Sequence, residues 1–114
     1  MHSLENLPPV PLTIEGASIL HQMLRVRWPE WRALPPAGRA EILNQAAPAL
    51  AAMESGGSAL FSLLGHKGDL MLVHFRPGFD ELGDVERCLP RLRLWDFLEP
   101  TTSYLSVIEL GLYE

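Results

Sequence analysis

The sequence is poor in cysteine, in clustered positive charge and in long apolar runs, and each shortage excludes a class of protein. Its single cysteine, Cys88, excludes an internal disulfide and a cysteine-rich metal site and is typical of a reducing cytoplasm. Nine scattered Lys and Arg residues against fourteen Asp and Glu argue against a nucleic-acid-binding face. No apolar run approaches the length of a membrane span, and residues 1–10 lack the apolar segment of a signal peptide. We therefore expect a cytoplasmic protein.

What the sequence does contain is enough apolar residues for one core. Apolar residues make up 47% of the sequence. The length of 114 residues is that of a common single domain. We predict one domain over residues 15–114. Residues 1–14 include Pro8, Pro9 and Pro11 and are predicted to form an extended arm.

The most informative segment is residues 58–77, which predicts two strands joined by a tight turn. The turn is Gly65-His66-Lys67-Gly68, in which the two glycines can adopt the positive φ that a hairpin needs. Nearly every flanking residue is apolar, so both faces of these strands must be covered. The helices of a small domain can cover only one face. The other face therefore indicates a partner.

The prolines, glycines and apolar patterns along the rest of the sequence give the element order β-α-β-β-α-β. Strands are predicted at residues 17–26, 59–64, 69–76 and 101–112, with helices at 37–55 and 79–88. Residues 29–36 and 90–100 are predicted to be a loop and an irregular linker. This order predicts the ferredoxin-like α+β fold, a four-stranded antiparallel sheet with both helices on one face. The crossover rule places the first and third strands in the centre.

Pro48 is the one residue that conflicts with the first helix. In a helix interior a proline removes a hydrogen bond and costs roughly 3 kcal/mol. We therefore expect either a kink near Gln45 or two helical pieces, the second beginning at Pro48.

The face of the sheet opposite the helices is predicted to be apolar whichever phase each strand takes. In the first strand, Ile19, His21, Met23 and Arg25 alternate with Leu20, Leu24 and Val26. In the second strand the choice is Leu60 with Leu64, or Phe61 with Leu63; in the fourth it is Leu105 with Val107, or Tyr104 with Ile108 and Leu110. Such a face exceeds what monomers usually expose. We therefore predict that a second sheet packs on it, in a dimer or as another half of the same protein.

These residues resemble the chlorite dismutase superfamily, which includes the coproheme decarboxylases of bacterial haem biosynthesis. Residues 57–72, GSALFSLLGHKGDLML, resemble its second hairpin. Leu20-His21 through Trp28-Pro29-Glu30-Trp31 resembles its first strand and the loop that follows. Phe75-Arg76-Pro77 is similar to the end of its third strand, and residues 101–110, TTSYLSVIEL, to the last strand of its first half. The resemblance covers about residues 12–113.

The resemblance implies an architecture and a location for the chemistry. Subunits of this family are similar to two fused ferredoxin-like halves with packed sheets, often assembled as pentamers. Haem or coproheme and its proximal histidine belong to the second half. For this chain the resemblance therefore implies a first half with no catalytic residue, no cofactor ligand and no metal ligand of its own, and a haem-carrying second half as its partner.

Several side chains have both a functional and a structural interpretation. His21 and His74 could meet across adjacent strands and bind a metal or haem; we favour hydrogen-bonded residues at a sheet interface. His66 and Lys67 could contact a propionate, but a solvated hairpin tip is favoured.

The other candidates also have structural interpretations that we favour. Charges at a helix start explain Asp80, Glu81 and Asp84 better than acid–base catalysis does. For Cys88 we favour a small buried apolar role over a nucleophile. For Trp28, Trp31 and Trp95 we favour anchoring of loops to the core over stacking on a porphyrin. For Arg91 and Arg93 we favour ordinary ion pairs over binding of propionates.

Two function classes follow. The first is the non-catalytic first half of a haem-linked oxidoreductase, whose complete form, by resemblance, uses hydrogen peroxide to decarboxylate iron-coproporphyrin. By itself this chain would have no activity. The second is a self-contained α+β barrel protein that dimerises through the open face and binds a small ligand or serves as an assembly module.

Overall fold

The computed structural model describes residues 17–108, and the predicted arm at residues 1–14 lies outside them. These described residues form seven main elements. In order they are β1 (Ser18–Val26), α1 (Trp28–Ala33), α2 (Pro36–Ser55), β2 (Ser58–Ser62), β3 (Leu70–Arg76), α3 (Phe79–Cys88) and β4 (Leu98–Val107). Two short 3₁₀ turns, Leu89–Arg91 and Arg93–Phe97, connect α3 to β4.

The four strands form one antiparallel sheet in the order β2-β3-β1-β4. The predicted ferredoxin-like fold and the central position of β1 and β3 are confirmed. The register pairs Leu20 with His74 and with Leu105, and it continues without interruption from Ser18 to Met23. An irregularity between Met23 and Leu24 shifts the β1–β4 pairing at the end of the sheet where Pro100 lies. A bulge there accommodates a proline that cannot donate to the ladder.

One predicted loop is a helix. Residues 29–36 were expected to be irregular because they contain three prolines, yet α1 occupies Trp28–Ala33. Pro29 lies in the first turn of α1 and Pro36 begins α2, positions where the missing N–H has no helical acceptor to lose. Glu30 in the first turn and Arg32 in the last complement the helix dipole. The prolines therefore start helices here instead of excluding them.

Helix α2 runs without interruption through Pro48, so the alternative of two helical pieces is wrong. Pro48 is exposed, which leaves the freed carbonyl of Asn44 accessible to water. The other boundaries shift by a few residues. Strand β4 begins at Leu98, earlier than the predicted residue 101, and residues 109–112 of the predicted strand lie outside the described part.

The hydrophobic core lies between the sheet and the helices. Its buried residues come from β1, α2, β3, the 3₁₀ segment and the start of β4: Leu24, Ala46, Leu72, Leu89, Leu92 and Leu98. Ile42 of α2 and Leu82 and Val85 of α3 are also buried. Their spacing along each helix gives the apolar stripe that faces the sheet. All helical cover is therefore on one side.

Candidate functional site: the uncovered face of the sheet

The register assigns every strand residue to one of two faces. His21 lies opposite Val73 on β3 and Tyr104 on β4, and directly opposed residues project to the same side of a sheet. The core residues Leu24 and Leu72 belong to the other side. We call the side that carries His21 the open face. It consists of Ile19, His21, Met23, Arg25, Ala59, Phe61, Met71, Val73, Phe75, Thr102, Tyr104 and Ser106.

The open face is largely apolar and incompletely buried. Phe61 and Tyr104 on the two edge strands are each 48% exposed, and Phe75 on β3 is 36% exposed. On the central strands, Ile19 and Val73 are only 9% and 7% exposed. The result is a continuous apolar surface whose middle is nearly dry and whose rim is half exposed. Monomers rarely leave such a surface uncovered.

The strand phases resolve the alternatives left open by the sequence. Phe61 and Tyr104 lie on the open face, whereas Leu60 and Leu105 lie on the helix side. Leu105 and Val107 are nevertheless 55% and 50% exposed, because they lie on the edge strand beyond the reach of the helices. The apolar exposure of β4 therefore extends to both of its faces.

At the centre of the open face, His21 stacks on Tyr104. Their ring centroids are 4.1 Å apart with an interplanar angle of 14°. Nδ1 of His21 is buried and has no hydrogen-bond partner among residues 17–108. A buried polar atom without a partner is uncommon in a finished structure. The open face therefore has a buried polar atom without a hydrogen bond as well as exposed apolar area.

His21 and His74 do not meet, so the proposed two-histidine site is wrong. His74 pairs in register with Leu20, one residue away from His21, and successive residues of a strand project to opposite faces. The two imidazoles are thus separated by the sheet. Among residues 17–108, no group of three potential ligands from His, Cys, Asp and Glu could hold a metal ion.

His74 instead forms a buried polar network on the helix side. It is hydrogen-bonded, as the favoured interpretation expected, but it lies in the core and not at a sheet interface. For His21 the same expectation fails, because its buried Nδ1 has no partner among the described residues. The ring of His74 is 0% exposed; Nδ1 lies 2.6 Å from Ser58 Oγ and Nε2 lies 2.9 Å from Gln22 Oε1. Arg76 Nη2 donates to Ser58 Oγ at 3.1 Å. A guanidinium can only donate and an amide oxygen can only accept, which fixes the directions. Arg76 therefore donates to Ser58, Ser58 donates to His74, and His74 donates to Gln22. The network links β2, β3 and β1.

The surroundings of His74 keep its ring neutral. Burial, and secondarily the charge of Arg76, lower the pKa of His74 to about 4. Both ring nitrogens are already engaged by protein atoms. The imidazole therefore has no free lone pair for an iron or zinc ion and acts as a connector between strands.

The turn that joins β2 to β3 folds against the end of β1. Gly65 and Gly68 have φ of 94° and 158°, as the sequence predicted. A Cβ on Gly68 would lie 2.6 Å from the carbonyl oxygen of Leu24. Asp69 closes the contact, because its N–H donates to Leu24 O at 2.7 Å and its carboxylate accepts from Val26 N at 2.8 Å. His66 and Lys67 remain exposed at the tip, as favoured.

Among the remaining candidates, the three carboxylates of α3 behave as predicted and Cys88 does not. Asp80 and Glu81 lie in the first turn of α3. Asp84 forms an exposed ion pair with Arg87 at 2.6 Å. Cys88 was expected to be buried but is exposed, because the apolar stripe of α3 passes through Leu82, Val85 and Leu89 and leaves Cys88 on the solvent side.

The tryptophans divide between core and surface. Trp95 packs against the core, and Trp31 makes an edge contact with Phe97 at 5.5 Å. Trp28 is 43% exposed, so the expectation that it anchors its segment is wrong. Arg91 and Arg93 are exposed, and within residues 17–108 neither forms an ion pair. The backbone N–H of Arg93 instead donates to Gln45 on α2.

Sequence reasoning missed a trough on the helix side, between α3 and β4. It contains two adjoining clefts of about 390 and 250 Å³ that share Glu86 and Ser103. Leu20, Phe79, Leu82 and Leu105 line the first cleft, and Gln22, Trp95 and Pro100 line the second. The signal available in the sequence was the uncharged stretch at residues 101–107. It predicts an edge strand with little cover.

Comparison with known proteins identifies the family. The family model described as chlorite dismutase matches residues 27–114. The chain belongs to the chlorite dismutase family. Within the described residues, no helix has the length and apolarity needed to cross a membrane.

Relatives and structural neighbours give the extent of the match. The coproheme decarboxylase of Staphylococcus carnosus is 36% identical over 107 residues, covering 89% of this chain and 43% of that protein. A heme-binding protein from Thermus thermophilus has a TM-score of 0.79 at 27% identity, covering 92% of this chain and 45% of that structure. A chlorite dismutase variant from Candidatus Nitrospira defluvii has a TM-score of 0.77 at 18% identity, covering 90% of this chain and 44% of that structure, which shows the shared fold.

The chain is much shorter than the proteins it matches. It spans between 18% and 43% of the length of the curated relatives and 45% or less of the similar solved structures. These solved structures share the ferredoxin-like fold described above, and more than half of each matched protein lies outside the match.

Proposed function

We propose that this chain is the non-catalytic structural half of a two-sheet haem protein of the coproheme decarboxylase type. Its open face packs against a second ferredoxin-like sheet, and that second half holds the porphyrin. The complete assembly then carries out the peroxide-dependent oxidative decarboxylation of iron-coproporphyrin. The observation that carries the proposal is the open face: an apolar sheet surface with half-exposed aromatic residues at its rim and an unpartnered nitrogen at its centre.

The described residues do not fit a haem site of their own. Haem iron needs an axial ligand with a free lone pair facing a cavity. Both nitrogens of His74 are hydrogen-bonded in the core, and Nδ1 of His21 is buried beside a stacked tyrosine. His66 is at an exposed turn tip. No chemical step is therefore assigned to these residues.

The lengths of the matched proteins also support a structural half and a separate porphyrin-binding half. The chain corresponds to 43% of the coproheme decarboxylase and to 45% of the heme-binding structure, which leaves room in each for one further domain of this size. A sheet supplied by that further domain would cover the open face. Burial of Phe61, Phe75 and Tyr104 would supply the hydrophobic free energy of association.

The test is a chimera that joins this chain to the part of Staphylococcus carnosus coproheme decarboxylase that it does not match. We expect the chimera to bind coproheme and to develop a Soret band, whereas the 114-residue chain alone binds none. Phe61→Asp in the chimera should abolish the Soret band. Leu43→Asp is the matched control, because Leu43 on α2 is 49% exposed and Phe61 is 48% exposed.

Two outcomes would contradict the proposal. One is stoichiometric coproheme binding by the 114-residue chain alone. The other is a chimera in which Phe61→Asp and Leu43→Asp bind coproheme equally well. A colourless homodimer with no Soret response to coproheme would instead favour the self-contained barrel protein.

A further inference from the structure

Beyond the bulge near Pro100, the outer edge of β4 lacks the features that normally protect an edge strand. Natural sheets protect their edges with short strands, charges, prolines or bulges. The other edge strand, β2, has only five residues, whereas β4 has ten. Glu99 and Pro100 protect the start of β4, but residues 101–107, TTSYLSV, contain no charge and no proline, and all seven are exposed. Within residues 17–108, β4 pairs only with β1.

The backbone geometry shows which groups this edge offers. The N–H of Ile108 donates to Ala17 O at 3.0 Å, so the backbone of Ile108 points toward β1. The β1–β4 register is regular from Ser18–Val107 to Met23–Thr102. Because backbone groups alternate along a strand, those of Ser103, Leu105 and Val107 point outward, and those of Tyr104 point inward.

We propose that two copies of this chain pair antiparallel through the outer edges of β4, around a two-fold axis at Tyr104. Ser103 then lies opposite Leu105 of the second copy in hydrogen-bonded pairs. The two Tyr104 residues face each other in a non-hydrogen-bonded pair, where side chains are closest. This interface uses the strand edge and leaves the open face free, so it goes beyond the proposed function.

The chemistry of the strand selects a second copy as the occupant. Over residues 101–107, each pair in this register combines uncharged residues, so this part of the edge can pair with itself without a like-charge contact. Leu105, which is 55% exposed on the helix side, gains cover from Ser103 of the second copy. A two-fold contact of this kind closes on itself and yields a dimer.

The test begins with Ser103→Pro in the 114-residue chain. This variant removes an outward N–H and keeps the β1–β4 ladder, because proline is tolerated at an edge position whose N–H faces outward. We expect the dimer dissociation constant from analytical ultracentrifugation to rise at least about tenfold, the equivalent of one or two backbone hydrogen bonds. Circular dichroism should remain that of the parent chain.

A charge exchange tests the register. Ser103→Lys and Leu105→Glu should each weaken the dimer by placing a charge in an uncharged pair. The double variant should restore it, because each lysine would lie opposite a glutamate of the second copy only in the register centred on Tyr104. Tyr104→Cys in a Cys88→Ser background should form an intermolecular disulfide on oxidation, since facing Cα atoms in such a pair are about 4.5 Å apart.

Each alternative result overturns the proposal in a distinguishable way. A chain that stays monomeric at millimolar concentration would exclude the edge dimer and leave the open-face proposal intact. A dimer that survives Ser103→Pro and is lost in Phe61→Asp would assign self-association to the open face. A double variant as weak as the single charge variants would show that the register is wrong.

Discussion

The two faces of the sheet differ in how completely their interactions are satisfied. On the helix side, Ser58, His74 and Gln22 are buried and linked through hydrogen bonds, and the apolar residues around Leu24 are covered. On the open face, Nδ1 of His21 has no partner in the described part of the chain, and three aromatic residues are a third to a half exposed. The helix side is a finished core. The open face has the composition of a core but lacks the second layer that would complete it.

The largest expected effect comes from charging the open face. In the chimera, Phe61→Asp should weaken the contact between the two halves by at least about 100-fold, since it loses apolar burial of about 2 kcal/mol and would bury a carboxylate. Leu43→Asp should leave the contact unchanged. Cleaving an engineered protease site between the halves and measuring their dissociation gives both values. If the two halves dissociated equally slowly in Phe61→Asp and Leu43→Asp, the open face would not be the surface that contacts the second half.

The second prediction concerns the buried polar network on the helix side of the sheet. His74→Ala should reduce the free energy of unfolding by about 3 kcal/mol, because it leaves Ser58 and Gln22 without a buried partner and opens a cavity. His66→Ala at the turn tip should change it by less than about 0.5 kcal/mol. Urea unfolding monitored by circular dichroism measures both. A loss below about 1 kcal/mol for His74→Ala would mean that the network contributes little.

The third prediction concerns pH. The pKa of His74 falls from 6.5 in the unfolded chain to about 4 in the fold, so the unfolded state binds the proton more readily. Stability contributed by neutral His74 is therefore fully present above pH 6.5 and is lost as the pH falls toward 4. The total loss is about 3 kcal/mol, from 1.36 kcal/mol per pKa unit.

Urea titrations at intervals from about pH 7 to about pH 4 measure this loss. His74→Gln is the matched control, because it cannot titrate and should show a shallower dependence on pH. Identical slopes for the parent and His74→Gln would show that other groups cause the acid sensitivity.

The fourth prediction compares two glycines of the same turn. Gly68→Ala should destabilise the chain by about 2–3 kcal/mol, since the new Cβ meets a backbone carbonyl as well as an unfavourable φ. A Cβ added at Gly65 would meet no atom within 4 Å, so only the conformational cost of about 1 kcal/mol remains. Thermal unfolding of the two variants should rank them in this order. The reverse order would mean that the turn is not held against Leu24.

The smallest expected effect is at the start of α3. Asp80→Asn should change stability by less than about 1 kcal/mol, because it removes only an interaction with the helix dipole. The effect should shrink as salt is raised. A loss that persisted at high salt would indicate a role for Asp80 beyond the dipole.

The fold was predictable because each element carries its own local signal. Alternation in β1, the glycines of the turn and the stripe of α3 all act over short stretches of sequence. The errors occurred where the same residue permits two structures. Pro29 and Pro36 were interpreted as loop formers, yet proline also suits the first turn of a helix.

The site was predictable only in outline. Alternation required an apolar open face, but the phase of β4, and hence the choice between Tyr104 and Leu105, depends on the register with β1. The link from Ser58 through His74 to Gln22 joins residues 16 and 52 positions apart. No local pattern encodes such a contact. The exposure of Cys88 likewise depends on how α3 packs.

The most direct test of the central claim is the solvent accessibility of the methionine methyl groups in the chimera. Met23 and Met71 lie on the open face, and Met53 packs on the helix-side core. With selective ¹³C-methyl labelling and a soluble paramagnetic probe, we expect the second half to protect Met23 and Met71 to the level of Met53. Met23 and Met71 methyl groups that remain as strongly relaxed in the chimera as in the 114-residue chain would contradict it.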